Sequence, residues 1–332
     1  MIDLHFNENT YQIPGSWEEL TPNQYLEIIP YLMQVMNTEI SVQQCRVLAA
    51  LVLMGLKPRR FRSKMHETYF NENTYRISLE LSFLFRIEYE NNKAFSKLNK
   101  EIREKLYRYI PSELDESIPE VRWASKQKFQ VIPDLVFAKN LMPTIGRGRH
   151  QLKGYVFELD GKLLSSSLTF IQFVDAQFLS GQYLENGNES TLRKLVTTLY
   201  CPGKYNQDQA QNVQLSKVDF PQMMAILFNF NAVQAFLYTR TKYRLLFDDS
   251  DAPQPETGKR KKQSGSGLIG MGYQLTKLGY ADVENKSVIR AFDQMYNEVV
   301  TNVQILHQQE IPLDKISEAT GLSIRKINQI LG

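Results

Sequence analysis

Four times along this chain a short polar residue is followed three positions later by glutamine and then by apolar residues at helical spacing. Thr21 with Gln24, Ser41 with Gln44, Thr169 with Gln172 and Asp219 with Gln222 form the set. The first side chain can accept a hydrogen bond from the backbone N–H three residues on, while the glutamine can reach back to the cap's own N–H. Two orphan donors of a helix start are thereby satisfied, so each pair marks where a helix must begin. Pro22 strengthens the first site, because a proline lacks an N–H that the first helical position would leave unpaired anyway. The spacing predicts helices over about 22–36, from Ser41 to a stop at Gly55 with Pro58 beyond, from Thr169, and from Asp219 to about Phe247. Val47, Leu48, Leu51, Val52 and Met54 ride on the second, and Phe170, Phe173, Val174, Ala176 and Phe178 face the core from the third. Shorter helices are expected at about 97–109 and 189–200, the latter ending at Cys201-Pro202-Gly203.

The strand signals are fewer. Tyr75, Ile77, Leu79, Leu81, Phe83, Phe85, Ile87 and Tyr89 occupy every odd position of 75–89, with polar residues between them except at Leu84. Period-two alternation places all eight on one face of a strand that bends or splits, being long for one element. Tyr155–Leu159 and Lys162–Leu164 flank Asp160-Gly161, which predicts a hairpin with a type I′ turn. One string repeats letter for letter: Phe6-Asn7-Glu8-Asn9-Thr10-Tyr11 and Phe70-Asn71-Glu72-Asn73-Thr74-Tyr75. It reads either as two similar turn-plus-strand entries or as two strands that pair side by side. The expected fold class is α+β, mainly α-helical, with a small antiparallel sheet from 3–13, 70–90 and 153–165.

The sharpest change of composition is 248–266. Asp248, Asp249, Asp251 and Glu256 precede Lys259-Arg260-Lys261-Lys262, and Pro253, Pro255 and Gly258 break regular structure. This reads as a charged linker between a main domain, 1–247, and a helical C-terminal domain, 267–332. Helices are expected there at about 267–279 and 284–308. The second carries Val288, Phe292, Met295, Val299, Val303 and Leu306 at steps of three and four, a stripe that must be covered by the rest of the chain or by a helix of a partner.

The C-terminus ends in a helix-turn-helix-like pair over 313–331. Leu313–Thr320 forms the first helix, Gly321 the left-handed turn, and Ser323–Leu331 the second, with Ile316, Leu322, Ile327 and Ile330 where the two would pack. Arg325, Lys326, Asn328 and Gln329 would then lie on the outer face, as residue types able to reach base edges or phosphates. Asp314 and Glu318 on the first helix leave an excess of one positive charge over the segment. Plain helical packing and DNA contact by a regulator or packaging factor both fit this pattern.

Reactive chemistry leaves little trace. The four histidines, His5, His66, His150 and His307, are scattered without a second ligand at metal spacing. Cys45 and Cys201 lie far apart, which fits a reducing compartment, and neither has a nucleophile context. Gly265-Ser266-Gly267-Leu268-Ile269-Gly270 matches a dinucleotide fingerprint by letter. That loop requires a buried strand ending at its first glycine, and Lys-Arg-Lys-Lys-Gln-Ser precedes it instead. The basic clusters, Lys57 to Lys64 with Phe61 interleaved and Lys259–Lys262, read as solvated loops or phosphate contacts. No enzyme, cofactor or metal is expected. With 42% hydrophobic and 23% charged residues the chain is a folded globular type, and a net charge of +3 is too small to mark the whole surface for a polyanion. The N-terminus has no signal-peptide pattern, and the longest apolar run, near Met223–Tyr238, is interrupted by Asn229, Asn231 and Gln234. No membrane association is expected.

Three stretches carry a family resemblance. They are Pro133-Asp134-Leu135-Val136-Phe137-Ala138-Lys139-Asn140-Leu141-Met142-Pro143, then Gly154-Tyr155-Val156-Phe157 with Ser167–Ala176, then Ser16-Trp17-Glu18-Glu19-Leu20-Thr21-Pro22-Asn23-Gln24-Tyr25. Over about 14–247 the chain resembles a family of Bacteroidetes phage and prophage proteins encoded among tail-morphogenesis genes. The resemblance implies a non-enzymatic tail assembly chaperone or accessory tail protein in the cytoplasm of the bacterial host, with the virion as a second location. Its partners would be phage structural proteins, such as the tape-measure protein, bound by helix-in-groove contacts.

Overall fold

A computed structural model describes residues 1–6, 9–56, 64–90, 92–146, 148–215, 217–247, 268, 272, 275–277 and 279–332. The fold is α+β and mainly helical, and its strands pair as separate two-stranded antiparallel ladders. Backbone packing divides the chain into two compact units, Met1–Leu135 and Val136–Gly332.

In the first unit, strands β1 (Ile2–Phe6) and β2 (Asn9–Ile13) form a hairpin. Helices α1 (Pro22–Met36) and α2 (Val42–Leu53) both begin as expected. The Thr21 and Ser41 N–H groups donate to Gln24 and Gln44 Oε1 at 3.0 and 2.9 Å, and the glutamine N–H groups return to the cap hydroxyls. At the far end of α2, Gly55 adopts φ +66°. Its N–H donates to Val52 O and that of Leu56 to Leu51 O, the paired closure for which a left-handed residue is needed. Helix α3 (Lys64–Leu79) and a 3-10 turn lead to β3 (Phe85–Tyr89). Then come α4 (Asn92–Phe95), α5 (Lys100–Arg108), α6 (Pro119–Ala124) and β4 (Phe129–Pro133), which pairs with β3 so that Ile87 faces Val131.

The long alternating strand over 75–89 is thus mostly not a strand, and only its last five residues join a ladder. Among the α3 side chains that are described, the buried ones are Thr74, Ile77 and Ser78, with Leu81 following, which is helical spacing. Two of those residues are small and polar, and the Ser78 hydroxyl donates to Tyr75 O at 2.6 Å, so it is satisfied by its own helix. Hydrophobicity alone hid the helical period, and Tyr75, read as inward, is exposed. The repeated hexapeptide is strand in its described first-copy residues and helix in its second copy, so the two copies do not pair. The sheet expected from 3–13, 70–90 and 153–165 is replaced by separate ladders.

In the second unit, β5 (Thr144–Ile145) pairs with β6 (Leu152–Lys153), and β7 (Phe157–Asp160) with β8 (Leu163–Ser166). The turn joining β7 to β8 is Gly161-Lys162 rather than Asp160-Gly161. Only Gly161 has positive φ, so it is not the type I′ turn the Asp-Gly pair suggested. Helices follow as α7 (Phe170–Asn186), α8 (Glu189–Leu199), α9 (Gln207–Gln211), α10 (Phe220–Arg240) and α11 (Arg244–Phe247). The Thr169 hydroxyl caps α7, but Gln172 spends its amide on Thr198 O at 2.6 Å and so ties α7 to α8 instead of closing a capping box. Phe178, expected in the core, is 55% exposed. The helix from Asp219 stops at Arg240, where Thr241 is extended, and α11 resumes after a turn.

Residues 248–266 lie outside the described residues. Beyond them come α12 (Val288–Gln308), α13 (Leu313–Thr320) and α14 (Ile324–Leu331). These do not stand apart as a 267–332 domain. The Phe170 N–H donates to Lys286 O and the Val288 N–H to Leu168 O, both at 2.8 Å, so the entry to α12 is stitched to the entry to α7. The boundary between the two compact units falls near residue 135.

Candidate functional site

The apolar stripe of α12 is covered by its own chain. Val288, Phe292, Met295 and Val303 are buried, and Val299 and Leu306 half-buried. Phe292 sits in an aromatic nest, edge-on to Phe173 at 5.6 Å and to Tyr243 at 5.5 Å, with Phe247 at 5.2 Å. Those rings come from α7, α11 and the turn between α10 and α11, which brings Phe247 within reach. A partner helix therefore has no access to this stripe as a continuous surface.

The distal end of the stripe serves a second purpose. Val303, Ile316 and Ile327, one from each of α12, α13 and α14, form a small core with no solvent exposure. Leu306, Ile311, Leu313, Leu322, Ile330 and Leu331 close around it. Gly321 ends α13 at φ +70°, its N–H donating to Ser317 O at 2.9 Å. The Ser317 hydroxyl donates to Leu322 O and that of Thr320 to Ile316 O, which fixes the three-residue turn. Ser323 caps α14 by accepting from the Lys326 N–H. The arrangement is a helix-turn-helix supported by a third helix.

Successive residues of an α-helix turn by about 100°. With Ile327, Ile330 and Leu331 inward, Arg325 and Gln329 fall at the centre of the opposite face of α14, and Lys326 and Asn328 on its shoulders. Arg325, Asn328 and Gln329 are exposed and Lys326 is half-buried, so the four residues named from sequence do share the outer side. Ile324 is 42% exposed, although its position three residues before Ile327 and seven before Leu331 puts it on the inward side of the helix. Sequence reasoning missed it, because an isoleucine beside a cap reads as packing. The charges separate by helix: α14 carries Arg325 and Lys326 and no acid, while Asp314 and Glu318 lie on α13.

Elsewhere, buried polar groups serve architecture. In the first unit the Arg46 guanidinium donates from Nη1 to both Glu113 oxygens at 2.9 Å and from Nη2 to Arg108 O at 3.0 Å. Its side chain is 1% exposed and that of Glu113 3%. No signal marks this pair, whose members lie 67 residues apart with ordinary neighbours. Asp134 accepts from Arg108 at 2.7 Å and Arg86 at 3.4 Å. In the second unit the Tyr205 hydroxyl donates to Asp175 at 2.6 Å, and burial, then that carboxylate, pushes the phenol up from its ordinary value.

A shallow depression of about 490 Å³ between β6 and the segment after α9 is lined by the amides of Gln151, Gln209, Asn212 and Gln214. His150 is its one titratable lining residue among the described residues, so the depression does not pair an acid with a base. Among the described residues, no three His, Cys, Asp or Glu side chains converge as a metal site would require. Also among them, no helix is long and apolar enough to cross a membrane. The cluster Lys57 to Lys64, the run Lys259–Lys262 and, Leu268 apart, the Gly265–Gly270 string concern side chains or segments outside the described residues.

The three stretches that carry the family resemblance are structural fasteners. The Trp17 indole N–H donates to Asp134 O at 2.8 Å, joining the Ser16–Tyr25 stretch to the Pro133–Pro143 stretch. The Asn140 amide donates to Tyr155 O at 2.7 Å, joining the latter to the Gly154–Phe157 stretch. Gly154 lies under the Tyr200 ring, where a Cβ would approach Cε1 to 2.7 Å. Compared with known protein families, curated proteins and solved structures, the chain matches none.

Proposed function

We propose that this chain is a non-enzymatic phage morphogenesis protein, of tail-assembly-chaperone or accessory-tail type, that works by binding other phage proteins in the host cytoplasm. One observation carries the reading. The three stretches on which the resemblance rests are hydrogen-bonded to one another through buried groups, Trp17 to Asp134 and Asn140 to Tyr155. The stretches thus act as one framework within the fold, which suits a family defined by them.

The binding surface is not the α12 stripe, which the chain's own rings cover. The β7–β8 hairpin is the better candidate, because Leu159 on one of its faces and Leu163 on the other are 45% and 73% exposed, and Val156 just before β7 is 48% exposed. Large apolar side chains left in water on both faces of one element favour contact with another protein. The test is co-purification of the tagged full chain with a phage tape-measure protein. Association that weakens at least about tenfold in L159S/L163S supports the reading; no association under any lysis condition, or association indifferent to the pair, removes it.

A further inference from the structure

We propose that the C-terminal tip is a duplex-DNA-binding site in which α14 enters the major groove. Arg325 and Gln329 face base edges and Lys326 a phosphate. This goes beyond the tail-assembly reading and stands or falls independently of it.

The scaffold is the first support. Three helices share the Val303–Ile316–Ile327 core, and the turn between the last two is held by Gly321 in the left-handed region and by two side-chain hydroxyls. Such a pair projects its second helix outward as a rigid rod, the geometry that places a recognition helix in a groove. With its side chains an α-helix is about 10–12 Å across, a cross-section that the B-form major groove, about 12 Å wide, admits.

The outward face is the second support. Every residue on it that can bear charge is a cation, and the two uncharged polar residues, Asn328 and Gln329, are the types that make paired hydrogen bonds to adenine. The acids of the segment lie on α13. Duplex RNA offers no equivalent groove, because its major groove is too deep and narrow for a helix. An acidic protein surface would use the cations without needing Asn328 or Gln329.

The experiment is fluorescence anisotropy of the full chain with a labelled mixed-sequence DNA duplex of about three helical turns, titrated from about 50 to about 200 mM salt. Binding should weaken along a straight line in log affinity against log salt. R325A/K326A should weaken it at least about tenfold at the lower salt and flatten the slope by about 1 to 2. Q329E adds an acid at the centre of the outward face without touching the core, and should weaken binding comparably. It decides the matter if thermal unfolding shows R325A/K326A to be misfolded. The proposal is overturned by no binding at the lowest salt, or by a slope and affinity that Q329E and R325A/K326A leave unchanged. Equal competition by duplex RNA or by polyglutamate also overturns it.

Discussion

The buried ion pair of the first unit allows a quantitative test of how that unit is held. Removing one member leaves the other charged in a site 1–3% open to water, and breaking a buried pair in this way costs about 3–5 kcal/mol. Glu113→Gln keeps the size of the side chain, and its amide oxygen can still accept the Ile110 N–H bond that Glu113 Oε2 accepts at 3.1 Å. Its cost therefore comes mainly from stranding the guanidinium and should lie near the low end, about 3 kcal/mol. Arg46→Met strands the carboxylate, leaves Arg108 O without its Nη2 donor and removes the guanidinium stacked 5.9 Å over Phe85. It should cost about 3–5 kcal/mol. The double variant is neutral, so only unpaired dipoles remain, and it should be more stable than the sum of the singles predicts by about 2–3 kcal/mol. Both tryptophans, Trp17 and Trp123, belong to Met1–Leu135, so urea unfolding followed by tryptophan fluorescence reports that unit alone. Single-variant losses below about 1 kcal/mol, or a double equal to the sum within about 0.5 kcal/mol, would refute the argument that charge compensation in a closed site governs the unit's stability.

Three further outcomes are expected. Phe292→Ala removes the centre of the aromatic nest and should destabilise the chain by about 3–5 kcal/mol in thermal unfolding followed by circular dichroism; a loss under about 1 kcal/mol would mean α12 does not depend on those rings. Gly154→Ala drives a Cβ to 2.7 Å from Tyr200, which is 1% exposed and anchored by its hydroxyl to Met142 O, so about 1–3 kcal/mol should be lost in urea unfolding. An unchanged midpoint would show that the ring can retreat. Burial pushes the Cys45 thiol up to about 12 from 9.0, so its contribution is intact below pH 9 and is lost as pH rises toward 12. Between about pH 7.5 and 10.5 the native chain should therefore lose about 2 kcal/mol more than Cys45→Ala, and equal losses would contradict the burial.

Local chemistry was legible where it acts over four residues or fewer. The caps at Thr21, Ser41, Asp219 and Ser323 and the left-handed stops at Gly55 and Gly321 depend on hydrogen bonds whose partners are near neighbours in the chain. The helix-turn-helix at 313–331 was readable for that reason, including which residues of α14 face outward. Thr74 and Ser78 show where such reading fails. Both are buried, and the Ser78 hydroxyl is satisfied by its own helix, so polar residues occupy a buried face and the apparent period becomes that of a strand. Gln172 fails similarly, because a distant carbonyl, Thr198 O, competes for the amide the cap would have used.

The candidate sites divide along the same line. That α12 must bury one face follows from the spacing of Val288 through Leu306, since an apolar stripe left in water is costly wherever the helix lies. Which groups cover it was decided only by folding, when α10 broke at Arg240 and brought Tyr243 and Phe247 to Phe292. The outward chemistry of Arg325, Lys326, Asn328 and Gln329 was set by their order along one helix. The Arg46–Glu113 pair and the hydrogen bond from Trp17 to Asp134 required residues far apart in the chain to meet. Order along a chain determines which groups a helix turn brings together, whereas burial and long-range pairing depend on which packing of all the faces leaves the least apolar surface and the fewest unpaired polar groups.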